Sequence, residues 1–115
     1  MTVIHDILRS LGVTRNYRGY TYIVYAVELV LENDSRLNAI TKEVYGEVAR
    51  QFGCEWSAVE RNFRTIIKRA WSIKPQRLVE MVGYPLSGPP TASEFIEIIS
   101  NYSSLKNREI CLILA

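Results

Sequence analysis

The segment from Thr41 to Trp71 constrains the fold more than any other part of the chain, because it has the pattern of two amphipathic helices joined by a tight turn. Its sequence is TKEVYGEVARQFGCEWSAVERNFRTIIKRAW. Ala49 lies within the first helix, where a small side chain lets a second helix cross closely, and Gly53 can adopt the positive φ of a tight turn. Val59 places a β-branched side chain facing back into the helix pair. This spacing predicts a helix-turn-helix unit, whose second helix enters the DNA major groove.

The two faces of this unit differ in polarity. Apolar residues at helical spacing extend its inner face: Val44, Val48, Phe52, Phe63 and Ile66. The opposite face of the second helix is polar and mostly basic, and it carries Ser57, Glu60, Arg61, Arg64 and Lys68. The sequence therefore predicts that this basic face is available to a DNA groove.

The position of each polar residue predicts its role, because the N-terminal turns of a recognition helix point at base edges. Arg61 is predicted to donate a bidentate pair to guanine, and Glu60 to accept from cytosine N4. Arg64, one turn further on, is predicted to reach a base or a phosphate. The residues assigned to the phosphate backbone are Ser57, Lys68 and Arg69. A local alternative stays open, in which Glu60 pairs with Arg64 and only stabilises the helix, by ~0.2–0.5 kcal/mol.

The charge is unevenly distributed along the chain. From Arg50 to Arg77 there are seven basic and two acidic residues, a net charge of +5, whereas the whole chain carries +2 and the remainder therefore −3. A basic band on an otherwise acidic body favours contact with phosphates. The alternative explanation is that any surface helix has a charged face in contact with solvent. The turn at Gly53 favours the explanation by DNA contact.

Helical patterns account for most of the chain, and no strand is convincing, so we predict an all-α fold of about six helices around the helix-turn-helix unit. The first pattern runs over about 2–11 and ends at Gly12. The second, over about 18–31, is apolar on most sides and is predicted to be the buried central helix. Thr41 is predicted to cap the third helix.

The later helices are predicted from caps and helix-breaking residues. The fourth helix begins near Glu55 to Ser57, and Ser57 and Glu60 have capping-box spacing. Pro75 opens a short helix over 76–82 that ends at a glycine. Thr91 caps the last helix, with Glu94 at capping-box spacing. Residues 106–115 are set apart as a tail, of which 110–115 is apolar and is expected to pack on a partner or to fray.

Composition and motifs narrow the class of protein. A chain of 115 residues with 48% hydrophobic residues predicts one globular domain over 1–115. No signal peptide or membrane span is apparent, and Cys54 and Cys111 lack metal-ligand spacing, so we expect a cytoplasmic protein without a disulfide framework. No catalytic set or phosphate loop rises above chance. We therefore expect no enzyme, metal, cofactor or small-molecule substrate.

The aromatic residues and the histidine have ordinary predicted roles. Trp56 and Trp71 are expected to anchor the core or the helix ends rather than to stack on bases. The four tyrosines of the second helix and the segment before it are expected to pack, because they lie in the most apolar part of the chain. His5 is expected at the surface.

Several segments in one order resemble a known family. They are GVTRNYRGYTYIVYAVELV, AITKEVYGEVARQFG, SAVERNFRTIIKRAW and VGYPLSGPPTASEFI. Together they resemble the C-terminal DNA-binding effector domain of the master response regulator of sporulation initiation in Bacillus and Clostridium, over about residues 4–105. The chain departs from the family pattern at Glu55-Trp56, where Thr-Pro is usual, and at Lys68, where an acidic residue is common.

The resemblance implies an all-helical domain that binds short repeated promoter boxes, often as a head-to-tail pair. Glu60 and Arg61 match the family's base-reading pair, and Arg64 matches a further basic position that faces DNA. The family uses its later helices for contacts between neighbouring domains on DNA. The family's receiver domain has no counterpart here, and the initial Met and apolar tail favour a natural short protein over an excised domain.

Two hypotheses follow. In the first, the chain is a sequence-specific transcription regulator that binds double-stranded DNA, as a monomer or weak dimer in solution and as a pair on promoter boxes. In the second, the fold is retained but DNA binding is lost, and the chain binds a related regulator through its apolar tail and last helix. Deletion of residues 110–115 would distinguish them.

Overall fold

The computed structural model describes the backbone of residues 2–114 and the side chains of residues 3–105. Six α-helices occur within this part: α1 (Thr2–Ser10), α2 (Tyr20–Glu32), α3 (Gly46–Phe52), α4 (Trp56–Ile73), α5 (Pro75–Val82) and α6 (Ala92–Leu114). A 3₁₀ helix (Asp34–Ala39) and a π-helical turn (Thr41–Tyr45) lie between α2 and α3. No strand occurs among the described residues, so the predicted all-α class is confirmed.

Helix α2 is the centre of the molecule, as its apolar pattern predicts. It packs against α1, α3, α4 and α6, and more than half of its residues are buried. Phe95, Ile96 and Ile99 of α6 and Leu78 of α5 belong to the same core. This arrangement leaves α3 and α4 supported from behind, with one side of α4 free.

The segment before α3 differs from the prediction. Thr41 is exposed and is not an N-cap, because the preceding Ile40 already has helical dihedral angles (φ −58°, ψ −39°). The helical run instead starts after Asn33, whose side-chain oxygen accepts a hydrogen bond from the Ser35 backbone N–H at 3.2 Å. An Asn is a good N-cap because its oxygen satisfies a backbone donor that has no partner in the first turn.

Helix α6 begins at the predicted capping box and extends further toward the C-terminus than predicted. Thr91 Oγ1 accepts from the Glu94 N–H at 3.2 Å, and Glu94 Oε1 accepts from the Thr91 N–H at 2.9 Å, which is the predicted capping box. The helix then continues to Leu114, so the backbone of most of the predicted tail, 106–115, is helical. The side chains of that tail lie outside the described residues.

Candidate nucleic-acid interface

Helices α3 and α4 are joined by a three-residue turn. Gly53 adopts the left-handed conformation (φ +66°, ψ +41°), which lets the chain leave α3 abruptly. The Cys54 N–H donates to the Ala49 carbonyl at 3.0 Å and so satisfies an acceptor at the end of α3. The Cys54 thiol lies close to Tyr22 of α2, and this neighbour, together with burial, raises the pKa of the Tyr22 phenol. The turn is therefore tied to α2 as well as to α3.

The inner side of the helix pair is fully apolar. Ala49 of α3 and Val59 of α4 are both buried, and Phe63 and Ile66 continue the buried side of α4. Tyr45 packs edge-to-face on Phe63, with ring centroids 5.5 Å apart. Burial chiefly, and then the Glu60 charge, raise the pKa of Tyr45, so its hydroxyl stays neutral beside the polar face of α4.

Gly19, just before α2, fixes α4 from behind. A Cβ placed on Gly19 would lie 2.9 Å from both Asn62 Cβ and Ile66 Cδ1, so only glycine fits this approach. In the sequence, Gly19 lies within GVTRNYRGYTYIVYAVELV, one of the segments that resemble the known family. No local signal predicts this role, because the contact joins residues far apart in the chain.

The outer side of α4 presents a continuous polar face. Each residue of an α-helix turns by about 100°, so the side opposite Val59 and Phe63 carries Ser57, Arg61, Arg64 and Lys68. Glu60 and Arg69 lie at the two edges of this face. The structure exposes Ser57, Arg61, Arg64, Lys68 and Arg69, and half-buries Glu60. The five residues predicted to share this face do lie on one side of a single helix, and Arg69 lies at its edge.

Glu60 and Arg64 form an ion pair along this face. The distance from Arg64 Nη2 to Glu60 Oε1 is 2.8 Å, and the side chains are 59% and 41% exposed, respectively. The pairing of Glu60 with Arg64, which the sequence left open as an alternative to DNA contact, is therefore present. It does not exhaust either group, because a carboxylate accepts about four hydrogen bonds and a guanidinium donates five.

Arg61, Lys68 and Arg69 have no ion pair or side-chain hydrogen bond to any described residue. By contrast, Arg50 on α3 pairs with Glu47, and Arg77 on α5 donates to Ser10 Oγ and Tyr102 Oη at 3.3 Å each. Within the described residues, four basic side chains of the segment 50–77 have no ion pair: Arg61, Lys68 and Arg69 on the exposed side of α4, and Lys74 just after its end. This is the electrostatic arrangement that favours phosphate contact.

The beginning of α4 differs from the prediction in two ways. Glu55 occupies the N-cap position with extended dihedral angles, and Ser57 lies inside the helix, so the Ser57–Glu60 capping box is not formed. The box cannot form because the helix begins at Trp56, which places Ser57 within its first turn, and Glu60 pairs with Arg64. Trp56 was expected to be an anchor, yet its side chain is 46% exposed, whereas Trp71 packs on the core.

The prediction for Phe52 was also wrong. Phe52 was assigned to the buried inner face, but it is 40% exposed. It closes the end of α3 over the rings of Tyr22 and Tyr25, with centroid distances of 5.1 and 5.9 Å. It lies on the last turn of α3, where the helix pair separates, so helical spacing alone overstates its burial.

His5, which was expected at the surface, instead contacts α2. His5 is half-buried rather than exposed, and its Nδ1 hydrogen-bonds the Tyr20 hydroxyl while the rings stack. In the described part of the chain there is no group of three or more His, Cys, Asp or Glu residues arranged to hold a metal ion. None of the described helices has both the length and the apolar character needed to cross a bilayer.

Comparison with known families gives one match that covers most of the chain. Residues 4–102 match the family described as "Sporulation initiation factor Spo0A C terminal". This family is a DNA-binding one and is not enzymatic, and its helical character agrees with the observed fold. The match contains all of α2 to α5, the exposed face of α4 and the turn at Gly53. The chain therefore belongs to the Spo0A C-terminal family of DNA-binding effector domains of sporulation regulators.

Proposed function

We propose that the chain reads short promoter boxes in double-stranded DNA by inserting α4 into the major groove. The observation that carries this proposal is the outer face of α4, where Arg61, Lys68 and Arg69 are exposed and unpaired within the described part of the chain. The opposite side of the same helix is buried, so the face is held in one orientation. A rigid basic helix face meets the main requirement of groove recognition.

Arg61 is the proposed main base-reading residue. It lies near the N-terminal end of α4, where recognition helices contact base edges, and its guanidinium has no competing partner among the described residues. It is proposed to donate two hydrogen bonds to guanine O6 and N7. Binding would therefore break no intramolecular interaction of Arg61.

Glu60 and Arg64 are proposed to act as a pair. Glu60 accepts from cytosine N4 with the lone pairs that Arg64 leaves free, and Arg64 reaches a neighbouring base or phosphate. The ion pair neutralises the repulsion that an unpaired glutamate would experience beside phosphates. Ser57, Lys68 and Arg69 are proposed to hold the backbone, which positions the helix without reading sequence.

The experiment is fluorescence-anisotropy titration of the chain with a duplex carrying two tandem family-type boxes and with a scrambled duplex, across a salt series. We expect preference for the boxes and a steep salt slope. Binding of a second copy to the tandem duplex would show the proposed pairing on DNA, and a duplex with one box is its control.

Two substitutions separate base reading from phosphate contact. Arg61→Ala should cost ~1–3 kcal/mol on the boxes and relax base preference. Lys68→Ala should weaken binding to all sequences alike and lower the salt slope by about 0.9. Arg9→Ala, which removes an exposed arginine of α1, is the matched control for charge. If Arg61→Ala and Lys68→Ala were both silent, the DNA-reading proposal would be wrong.

The alternative hypothesis, a protein-interaction module, becomes the better one if the boxes and the scrambled duplex bind equally or not at all. Deletion of residues 110–115 then tests it against a related full-length regulator. Loss of that association would support the alternative. An unchanged association would count against it.

A further inference from the structure

Trp56 is a large apolar side chain left in solvent at the functional end of α4. It is the first residue of the helix, and its side chain is 46% exposed. About half of its surface is covered by the protein, and it makes no ring contact or hydrogen bond within the described residues. Trp71, at the other end of the same helix, is partly buried against the core. Packing within the domain therefore leaves nearly half of the Trp56 surface open to a partner.

The position of Trp56 relates it to the proposed base-reading residues. Trp56 lies four residues before Glu60 and three before the buried Val59, so it stands at the border between the polar and the buried faces of α4, next to Glu60. Helical side chains tilt toward the N-terminus, which directs the indole beyond the first turn. The N-terminal end of a recognition helix is the part that enters the groove most deeply.

We infer that Trp56 is a further DNA-contacting residue, whose indole packs against the apolar C–H surface of the major-groove wall. This inference rests on the proposed function. Two parts of the duplex offer that surface at this depth, the thymine C5-methyl group and the deoxyribose of a flanking nucleotide. An apolar contact of this kind adds affinity without adding charge, so it is distinguishable from the contacts of Arg61 and Lys68.

The first test uses Trp56 as its own reporter. In the Trp71→Phe variant, Trp56 is the remaining tryptophan, and its emission and its quenching by acrylamide are measured with and without the tandem-box duplex. We expect the bound duplex to protect Trp56 from acrylamide. If Trp71→Phe does not fold, the difference between the unaltered chain and Trp56→Phe gives the same signal with Trp71 retained.

The second test measures affinity. Trp56→Ala should weaken binding about tenfold, which corresponds to roughly 55 Å² of apolar surface leaving water, and it should leave the salt slope unchanged. Leu31→Ala, which removes another exposed apolar side chain at the end of α2, is the control and should have no effect. A thermal melt of Trp56→Ala should show that the variant is folded at the temperature of the binding assay, because about half of the Trp56 surface already lies in solvent.

A duplex with uracil in place of every thymine identifies the contacted surface. A loss of affinity by the unaltered chain that Trp56→Ala does not share assigns the contact to thymine methyls. Equal affinity for both duplexes, together with the tenfold loss in Trp56→Ala, assigns it to deoxyribose. If the chain binds the boxes but Trp56 stays open to acrylamide and Trp56→Ala binds normally, only this inference is overturned. If the unaltered chain binds no duplex, the proposed function and this inference both fail.

Discussion

Substitution of Gly19 by alanine tests how α4 is held against the rest of the domain. The added Cβ would lie 2.9 Å from Asn62 Cβ and from Ile66 Cδ1, and 3.3 Å from the Asn62 carbonyl oxygen. Carbon atoms pack best at about 3.5–4.0 Å, so α4 and the start of α2 would have to separate by about 0.6–1.1 Å. Ile66 can adjust its terminal carbon, but the Cβ and carbonyl of Asn62 move only with the α4 backbone.

The expected cost follows from overpacking. Extra methyl groups in a filled site cost about 1–3 kcal/mol, and the dihedral angles of Gly19 (φ −77°, ψ 0°) are ones that alanine adopts without strain. The destabilisation is therefore steric, and the lower entropy of the unfolded alanine chain offsets about 0.4–1 kcal/mol of it. For a domain of this size we expect the midpoint of thermal unfolding to fall by roughly 4–12 °C.

The assay is urea unfolding of Gly19→Ala followed by circular dichroism, with Gly88→Ala as the control. A Cβ on Gly88 meets no atom within 4 Å, so this second substitution should change the free energy of unfolding by less than about 0.5 kcal/mol. Duplex binding is measured under conditions where each variant is folded. We expect Gly19→Ala to bind the boxes more weakly, because the recognition helix is displaced. If Gly19→Ala were as stable as the unaltered chain and bound DNA equally well, the argument from close approach would be refuted.

Two further substitutions test local features of the fold. Gly53→Ala should lower the free energy of unfolding by about 1–2 kcal/mol in the same urea assay, because alanine is strained at φ +66° although space is available around it. An unchanged urea midpoint would contradict the role of this turn. Thr91→Ala should cost about 1 kcal/mol by removing the acceptor for the Glu94 N–H, whereas Thr91→Ser should keep it. Equal stability of these two Thr91 variants would show that the capping box is not stabilising.

The candidate site was largely predictable from sequence because it is built on one helix. Within a helix, the side of each residue depends only on its position, so the exposure of Arg61, Lys68 and Arg69 and the burial of Val59 follow from spacing. What spacing could not decide was whether Glu60 would cap the helix or pair with Arg64. Both partners lie within reach in the sequence, and the structure places Glu60 against Arg64.

The errors lie where an element ends or meets another element. Phe52 and Trp56 have the spacing of buried residues but lie on either side of the turn, where the two helices diverge and leave them in solvent. Thr41 is a good cap by residue type, but Asn33 begins the helical run earlier. The preference of a residue for the N-cap position contributes less free energy than continuing the helix through that residue. Which residue begins the helical segment therefore depends on the surrounding structure.

The sequence by itself determined the helical class, the central position of α2, the turn at Gly53 and the basic face of α4, because these depend on periodicity, turn chemistry and charge along a short stretch of chain. Only the tertiary structure decided that Gly19 meets Asn62 and Ile66 and that Trp56 is left outside the core. Those outcomes depend on the distance between elements far apart in the chain. Packing sets that distance, and no local pattern encodes it.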